Sequence, residues 1–210
     1  MYTPTSLEIA FASDAVETVF CLATSGTKTV LVPVANGSEE IEAVTLIDVL
    51  RRAGADVTVA SVEDSLHVEM SRQVRITADK LVSDCATTTF DAIALPGGMP
   101  GAESLGASKE LDQLIRDQRQ SGRLLSAICA APAVVLESKG LLDGLKATSH
   151  PGFQDKLSNQ SAIKERVVEV ENIITSQAPG TAMEFSLAIV KQLFGQEKAD
   201  EVAGPMVVRT

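Results

Sequence analysis

Cysteine is the residue type best suited to nucleophilic chemistry. Of Cys21, Cys85 and Cys129, the last has the most telling surroundings. Leu124-Leu125-Ser126-Ala127-Ile128 has the length and character of a short buried strand, and it stops at Cys129. Ala130, Ala131 and Pro132 follow, and proline suits the first turn of a helix. Strand, sharp turn and helix with a thiol at the corner describe a nucleophile elbow. A helix N-terminus aimed at that thiol favours thiolate over thiol. The plainer reading of an isolated cysteine is a small buried hydrophobe, so its neighbours must decide.

Glu42 shares a helical stripe with Leu46 and Val49. A carboxyl there is either a surface group on a misjudged face or a buried acid with a raised pKa, able to hold or move a proton. Glu39 and Glu40 read as solvated capping charges. Gly97-Gly98 directly follows a buried strand, which suits a tight turn and also a close approach of backbone to ligand. The amides of Gly98 and Ala130 together can form an oxyanion hole. Histidine is scarce. His67 reads as a surface residue, while for His150 a structural and a catalytic role are both open. If histidine is not the base, Glu42 must handle the proton. Arg52 and Arg72 read as a helix C-terminal charge and a solvated residue, or as anion binders. No metal-ligand spacing is present, and no metal or cofactor is expected.

These residues need a frame. Val30 to Val34 is a buried strand, Asn36-Gly37-Ser38 a turn and N-cap, Glu39 to Leu50 a helix with Arg51-Arg52 at its end, and Val57 to Ala60 the next strand. Leu66 to Thr77 alternates weakly, as a hairpin does, and 79–85 suits a short helix. Phe90 to Leu95 is a strand, Glu110 to Gln120 an amphipathic helix, and 147–151 a strand end or turn. Arg166 to Val170 and Ile173 to Ser176 are strands around Glu171-Asn172. Ala182 to Phe194 is a helix, and a short one lies near 197–203. The alternation predicts an α/β fold with an open, mostly parallel sheet and helices on both faces. Its site belongs at the carboxyl ends of the strands, on the loops at 35–42, 96–101, 129–132 and 177–181, the last bringing Pro179 to the substrate side.

A length of 210 residues suits one domain, placed at 29–210, after a loosely ordered extension at 1–28 that fits neither a secretory signal nor a transit peptide well. The net charge of -10 and the 3% aromatic content argue against nucleic acid as a partner. No apolar run reaches membrane-spanning length, so no membrane partner is expected. Three scattered cysteines make no disulfide framework, which points to a reducing compartment: the cytoplasm, with a plastid as the alternative.

Six stretches carry a resemblance: Gly37-Ser38-Glu39-Glu40-Ile41-Glu42, Arg51-Arg52-Ala53-Gly54, Leu95-Pro96-Gly97-Gly98, Ala127-Ile128-Cys129-Ala130, His150-Pro151, and Ala178-Pro179-Gly180-Thr181 with Glu184-Phe185. From about Thr29 onward the chain resembles the parkinsonism-associated deglycase family, the DJ-one branch of the PfpI superfamily, and it is similar to one repeat of the tandem plant and algal members. The resemblance implies a flavodoxin-like three-layer fold and a homodimer. It implies that Cys129 is the nucleophilic, readily oxidised cysteine and Glu42 the protonated acid beside it. Gly98 and Ala130 take the place of the oxyanion donors, His150 that of a nearby pocket histidine, and Arg52 and Arg72 those of anion-binding arginines. The implied activity is a cofactor-independent glyoxalase that turns methylglyoxal or glyoxal into lactate or glycolate, with protein deglycase activity beside it. The alternative is a non-enzymatic redox sensor or stress chaperone acting through oxidation of Cys129. Gln177-Ala178 and Ala131 depart from the family's pattern. Ala130, where protease-like relatives carry histidine, speaks against their activities.

Overall fold

The computed structural model describes residues 26–208; the expected extension falls largely, and Cys21 wholly, outside the described residues. Lys28 is tied to the sheet, its carbonyl accepting from Asp56 N–H at 2.8 Å.

The strands are β1 (Thr29–Val34), β2 (Asp56–Ser61), β3 (His67–Glu69), β4 (Arg75–Thr77), β5 (Lys80–Leu81), β6 (Ala92–Leu95), β7 (Leu124–Ile128), β8 (Val167–Val170) and β9 (Ile173–Ser176). The helices are α1 (Glu40–Arg52), α2 (Gly101–Ala107), α3 (Lys109–Gln120), α4 (Ala182–Phe194) and α5 (Gln196–Ala203). Seven strands form one sheet in the order β5-β2-β1-β6-β7-β9-β8, parallel except for β8, which returns antiparallel along β9. β3 and β4 make the separate hairpin expected between Leu66 and Thr77.

Strand residues alternate between two cores, as the pleat requires. Val30, Val32, Val34, Ala92, Ala94 and Ile128 face α1, α4 and α5. Leu31, Ile93, Leu95, Leu125 and Ala127 face α2 and α3. A sheet covered on both faces gives the three-layer α/β sandwich predicted, and explains why the strands read as continuous apolar runs. Chain order reverses between β1 and β6, so their following loops flank the crevice where such sheets bind ligands.

Several local expectations change. Ser38 does not cap α1: its hydroxyl turns back to accept from Ala35 N–H at 3.0 Å, and Glu39 caps instead, accepting from Glu42 N–H at 2.8 Å. α2 starts at Gly101, the last residue of the expected 96–101 loop, and runs on over residues to which no element was assigned. Segment 79–85 splits into the edge strand β5 and a 3-10 turn at Val82–Cys85. The helix after the elbow is a π-helical turn, Pro132–Leu136, closed by one 3-10 turn. Residues 145–150 run without helix or strand. Among the described residues no helix is long and apolar enough to cross a membrane.

Candidate active site

β7 delivers Cys129 to the carboxyl edge of the sheet with φ 66°, a left-handed conformation rare for a residue with a side chain. The structure thus forms the elbow anticipated from sequence. Three hydrogen bonds hold its backbone. Cys129 N–H donates to Ser176 O at 3.0 Å, and Cys129 O accepts from Ser149 Oγ at 2.6 Å and His150 N–H at 2.7 Å.

The glycines after β6 are required by contact. A Cβ on Gly97 would lie 2.6 Å from Cys129 Cβ, 2.9 Å from Ile128 O and 3.0 Å from Ala130 N. Gly98 adopts φ +88°, and a Cβ there would come within 2.5 Å of Gly37 O. Both glycines let three loops meet backbone to backbone. Their meeting brings the Gly98 and Ala130 amides onto the Cys129 sulfur, where both favour negative charge.

Glu42, in the first turn of α1, is fully buried, as are Leu46 and Val49 on the same stripe. The buried-acid reading is therefore the correct one. Its Oε2 accepts from Gly97 N–H at 2.8 Å, while Oε1 is buried with no hydrogen-bond partner. Cys129 is close enough for the two groups to couple in titration, although no conventionally aligned hydrogen bond joins them.

Burial raises the Glu42 carboxyl to about 7, against the pull of the Gly97 amide and Cys129, with the Glu39 charge adding to the rise. Burial also pushes the Cys129 thiol up, and an ionised Glu42 pushes it further, to about 12, against the Gly98 and Ala130 amides. This corrects the expectation of a thiolate standing ready at neutral pH. Cys129 is only 8% exposed, and enclosure outweighs the amides while Glu42 carries charge. When Glu42 holds the proton instead, its repulsion is gone and both amides still face the sulfur. Each group shifts the other, so the two titrate as a coupled pair.

The elbow opens into a cleft of about 270 Å³ lined by Glu39, Ser71, Arg72, Gly98, Met99, Cys129, Ala130, His150, Phe153 and Pro179. A larger groove of about 650 Å³ between β8, α4 and α5 contains no cysteine or histidine, so chemistry rather than size selects the smaller one. His150 Nδ1 accepts from Gly152 N–H at 3.1 Å, which leaves the proton of a neutral ring on Nε2. His150 thus caps a 3-10 turn and also lines the cleft.

The two arginines separate. Arg72 lines the cleft, whereas Arg52 ends α1 ten residues beyond Glu42, about 15 Å along the helix. There Arg52 pairs with Asp48 at 2.7 Å on an exposed face, so within one chain it does not join Arg72 at the cleft. Glu40 is also corrected: it is buried, and accepts from Ser71 Oγ at 2.7 Å and Arg72 N–H at 2.6 Å, holding the turn that carries Arg72. Glu39 stays at the cleft wall, its carboxyl raised chiefly by burial.

The sequence profile of the DJ-1/PfpI family matches residues 28–192, from the start of β1 into α4. The chain belongs to the DJ-1/PfpI family. It is 51% identical over 186 residues to Protein DJ-1 homolog B of Arabidopsis thaliana, covering 88% of this chain and 42% of that protein. The chain therefore spans about two fifths of that relative's length. It is similar to the solved structure of oxidized Toxoplasma gondii DJ-1, with TM-score 0.84 and 46% identity, covering 88% of this chain and all of the other. A further relative, 36% identical over 80% of this chain and 90% of its own, is named Glutathione-independent glyoxalase DJR-1.2 of Caenorhabditis elegans.

In this DJ-1/PfpI site the reading of the sequence missed Ser71, Phe153 and Ser149, and took Met99 only as part of the 96–101 loop. Ser71 and Phe153 wall the cleft from segments whose approach depends on tertiary packing. Ser149 was visible only as the neighbour of His150.

Proposed function

We propose that this protein is a glutathione-independent glyoxalase whose nucleophile is Cys129 and whose proton carrier is Glu42. The observation that carries the reading is the fully buried Glu42, with an unpaired oxygen beside a sulfur held between two amides. A carboxyl raised to about 7 suits both halves of a proton shuttle near neutral pH. The name of the Caenorhabditis elegans relative supports the same activity.

The chemistry runs as follows. Glu42 takes the thiol proton as sulfur adds to the aldehyde carbon of methylglyoxal. The new alkoxide is stabilised by the Gly98 and Ala130 amides. Returning the proton gives a hemithioacetal. Glu42 then moves the hydrogen from the former aldehyde carbon to the former ketone carbon, and the oxygens follow as one carbonyl and one hydroxyl. The product is a lactate thioester on Cys129. Water cleaves it, lactic acid leaves, and sulfur regains its proton. Methylglyoxal plus water equals lactic acid, so no oxidant, reductant or cofactor is consumed. His150 and Arg72 line the cleft as donors for the substrate oxygens, and Pro179 and Gly97 shape it. Removal of free dicarbonyl in this way also lowers protein glycation, which gives deglycase behaviour without a second site.

A second copy of the chain completes the assembly in this reading. Ile41 and Val44 stand 56% and 48% exposed on one side of α1, with Val74 of the hairpin 44% exposed, an apolar set that a homodimer would cover. A redox role for Cys129 draws on the same amides, which would equally hold sulfinate oxygens.

The test is turnover of methylglyoxal by reduced protein without glutathione, with lactate measured as product. We expect lactate from the wild type and none from Cys129→Ser. Lactate formation by the variant at the wild-type rate removes the thiol mechanism. An inactive wild type whose Cys129 becomes sulfinate in peroxide favours the sensor.

A further inference from the structure

The two amides that face the sulfur belong to peptide groups gripped at their other ends. The Gly98 N–H shares a peptide plane with Gly97 C=O, which accepts from Glu39 N–H at 2.9 Å. The Ala130 N–H shares a plane with Cys129 C=O, which accepts from His150 N–H at 2.7 Å and from Ser149 Oγ at 2.6 Å. A peptide group is planar and trans, so fixing its carbonyl direction fixes the opposite direction of its N–H. Of these grips only Ser149 supplies a side chain. That side chain is fully buried, and Ser149 O is itself held by Gln154 Nε2 at 3.0 Å.

From this geometry we infer that Ser149 is a positioning residue for the oxyanion hole: its hydroxyl holds the Cys129 carbonyl so that the Ala130 amide points at the sulfur and at the oxyanion formed on it. The need is sharpest here because Cys129 sits at φ 66°, where the backbone has a lower-energy conformation to relax into. Such a relaxation turns the Cys129–Ala130 peptide and takes the donor away. A carbonyl accepting two hydrogen bonds also polarises its own peptide, which strengthens the N–H as a donor. Ser149 touches neither sulfur nor substrate in this scheme; it acts through Cys129 and Ala130.

The catalytic half of this inference rests on the glyoxalase reading, so the experiment has two arms. The first reads Cys129 alone: its alkylation rate by iodoacetamide against pH, resolved by peptide mass spectrometry on folded protein. Glu42 beside the sulfur, and Glu39, Arg72 and His150 around the cleft, are common to all variants and form the same background. Ser149→Ala is expected to move the profile to higher pH and to slow alkylation at pH 7 several-fold. Ser149→Thr, which keeps the hydroxyl, restores the wild-type profile. The second arm is methylglyoxal turnover, where Ser149→Ala lowers kcat about tenfold or more with KM little changed, as part of the loss seen when an oxyanion donor is removed. Should Ser149→Ala not fold, Ser149→Cys replaces it, since a thiol fits the space and donates only weakly; the same direction is expected. A variant that melts earlier yet keeps the wild-type alkylation profile overturns the inference, because then Ser149 is merely structural. A wild type without turnover defeats the glyoxalase reading alone and leaves the alkylation arm to decide on Ser149.

Discussion

Glu42 and Gly97 are joined by one hydrogen bond, Gly97 N–H to Oε2 at 2.8 Å, and the carboxyl's other oxygen is buried without a partner. A carboxylate so poorly served by donors prefers to keep its proton, and burial accordingly raises it from 4.5 to about 7. Between those values the folded protein holds a proton that the unfolded chain has released. The stability this contributes is complete below about pH 4.5 and is lost as pH rises to 7, an amount of roughly 3 kcal/mol. We expect the denaturant midpoint of wild type to fall across that window relative to Glu42→Gln, which cannot titrate. Glu39, raised in the same direction, contributes to both proteins. Parallel curves for the two would mean that Glu42 is not the proton holder. In turnover, Glu42→Gln should lose on the order of 10²–10⁴ in kcat, the usual worth of a positioned acid–base group.

Gly97→Ala tests the closeness of the loops. Its Cβ would have to displace Cys129 Cβ from 2.6 Å and two backbone atoms from 3.0 Å or less, none of which is the free end of a flexible chain. Overpacking of this kind costs about 1–3 kcal/mol. We expect a lower melting temperature together with slower Cys129 alkylation, since the displaced atoms are those of the elbow. A stable variant with normal thiol reactivity would show that the loops have slack.

What could be read from the chain follows from the range of each interaction. The stripe Glu42, Leu46, Val49 and the run ending at Cys129 are local patterns, and both stand in the structure as read. Glu40 was misread because its partners Ser71 and Arg72 lie more than thirty positions away on a hairpin that nothing local brings near. The ionisation of Cys129 was misread for a similar reason: the amides beside it are local, but the enclosure that outweighs them is built by three separate loops. Arg52 is different, because a signal was available. Counting the rise of the helix from Glu42 places it a long way from the sulfur. α2 was hidden by Pro100-Gly101, which reads as a loop and here opens a helix.

Glu40 is expected to behave as a clamp. Its two bonds, to Ser71 Oγ and Arg72 N–H, attach the hairpin turn to the start of α1. Glu40→Ala leaves a part-buried amide and hydroxyl without a charged acceptor, a loss of about 1 kcal/mol. Beyond the stability loss, limited proteolysis should cut near residues 71–73 faster than in wild type. Because Arg72 is carried on that turn, KM for methylglyoxal should rise more than kcat falls. An unchanged cleavage pattern would show that the turn is held by other bonds.

The φ of 66° at Cys129 should be measurable as strain. Cys129→Ala and Cys129→Gly both remove the sulfur and its coupling to Glu42, so activity is lost in each and only the backbone term separates them. A left-handed conformation costs a residue with a Cβ about 1–2 kcal/mol, and glycine adopts it freely. Glycine also gains more entropy on unfolding, which offsets about half of that. We therefore expect Cys129→Gly to be the more stable of the two by about 0.5–1 kcal/mol in urea unfolding, against the usual ranking of alanine over glycine. The reverse order would show that the corner relaxes once the sulfur is gone, and that Cys129 itself, rather than Ser149, His150 and Ser176 around it, holds the turn in place.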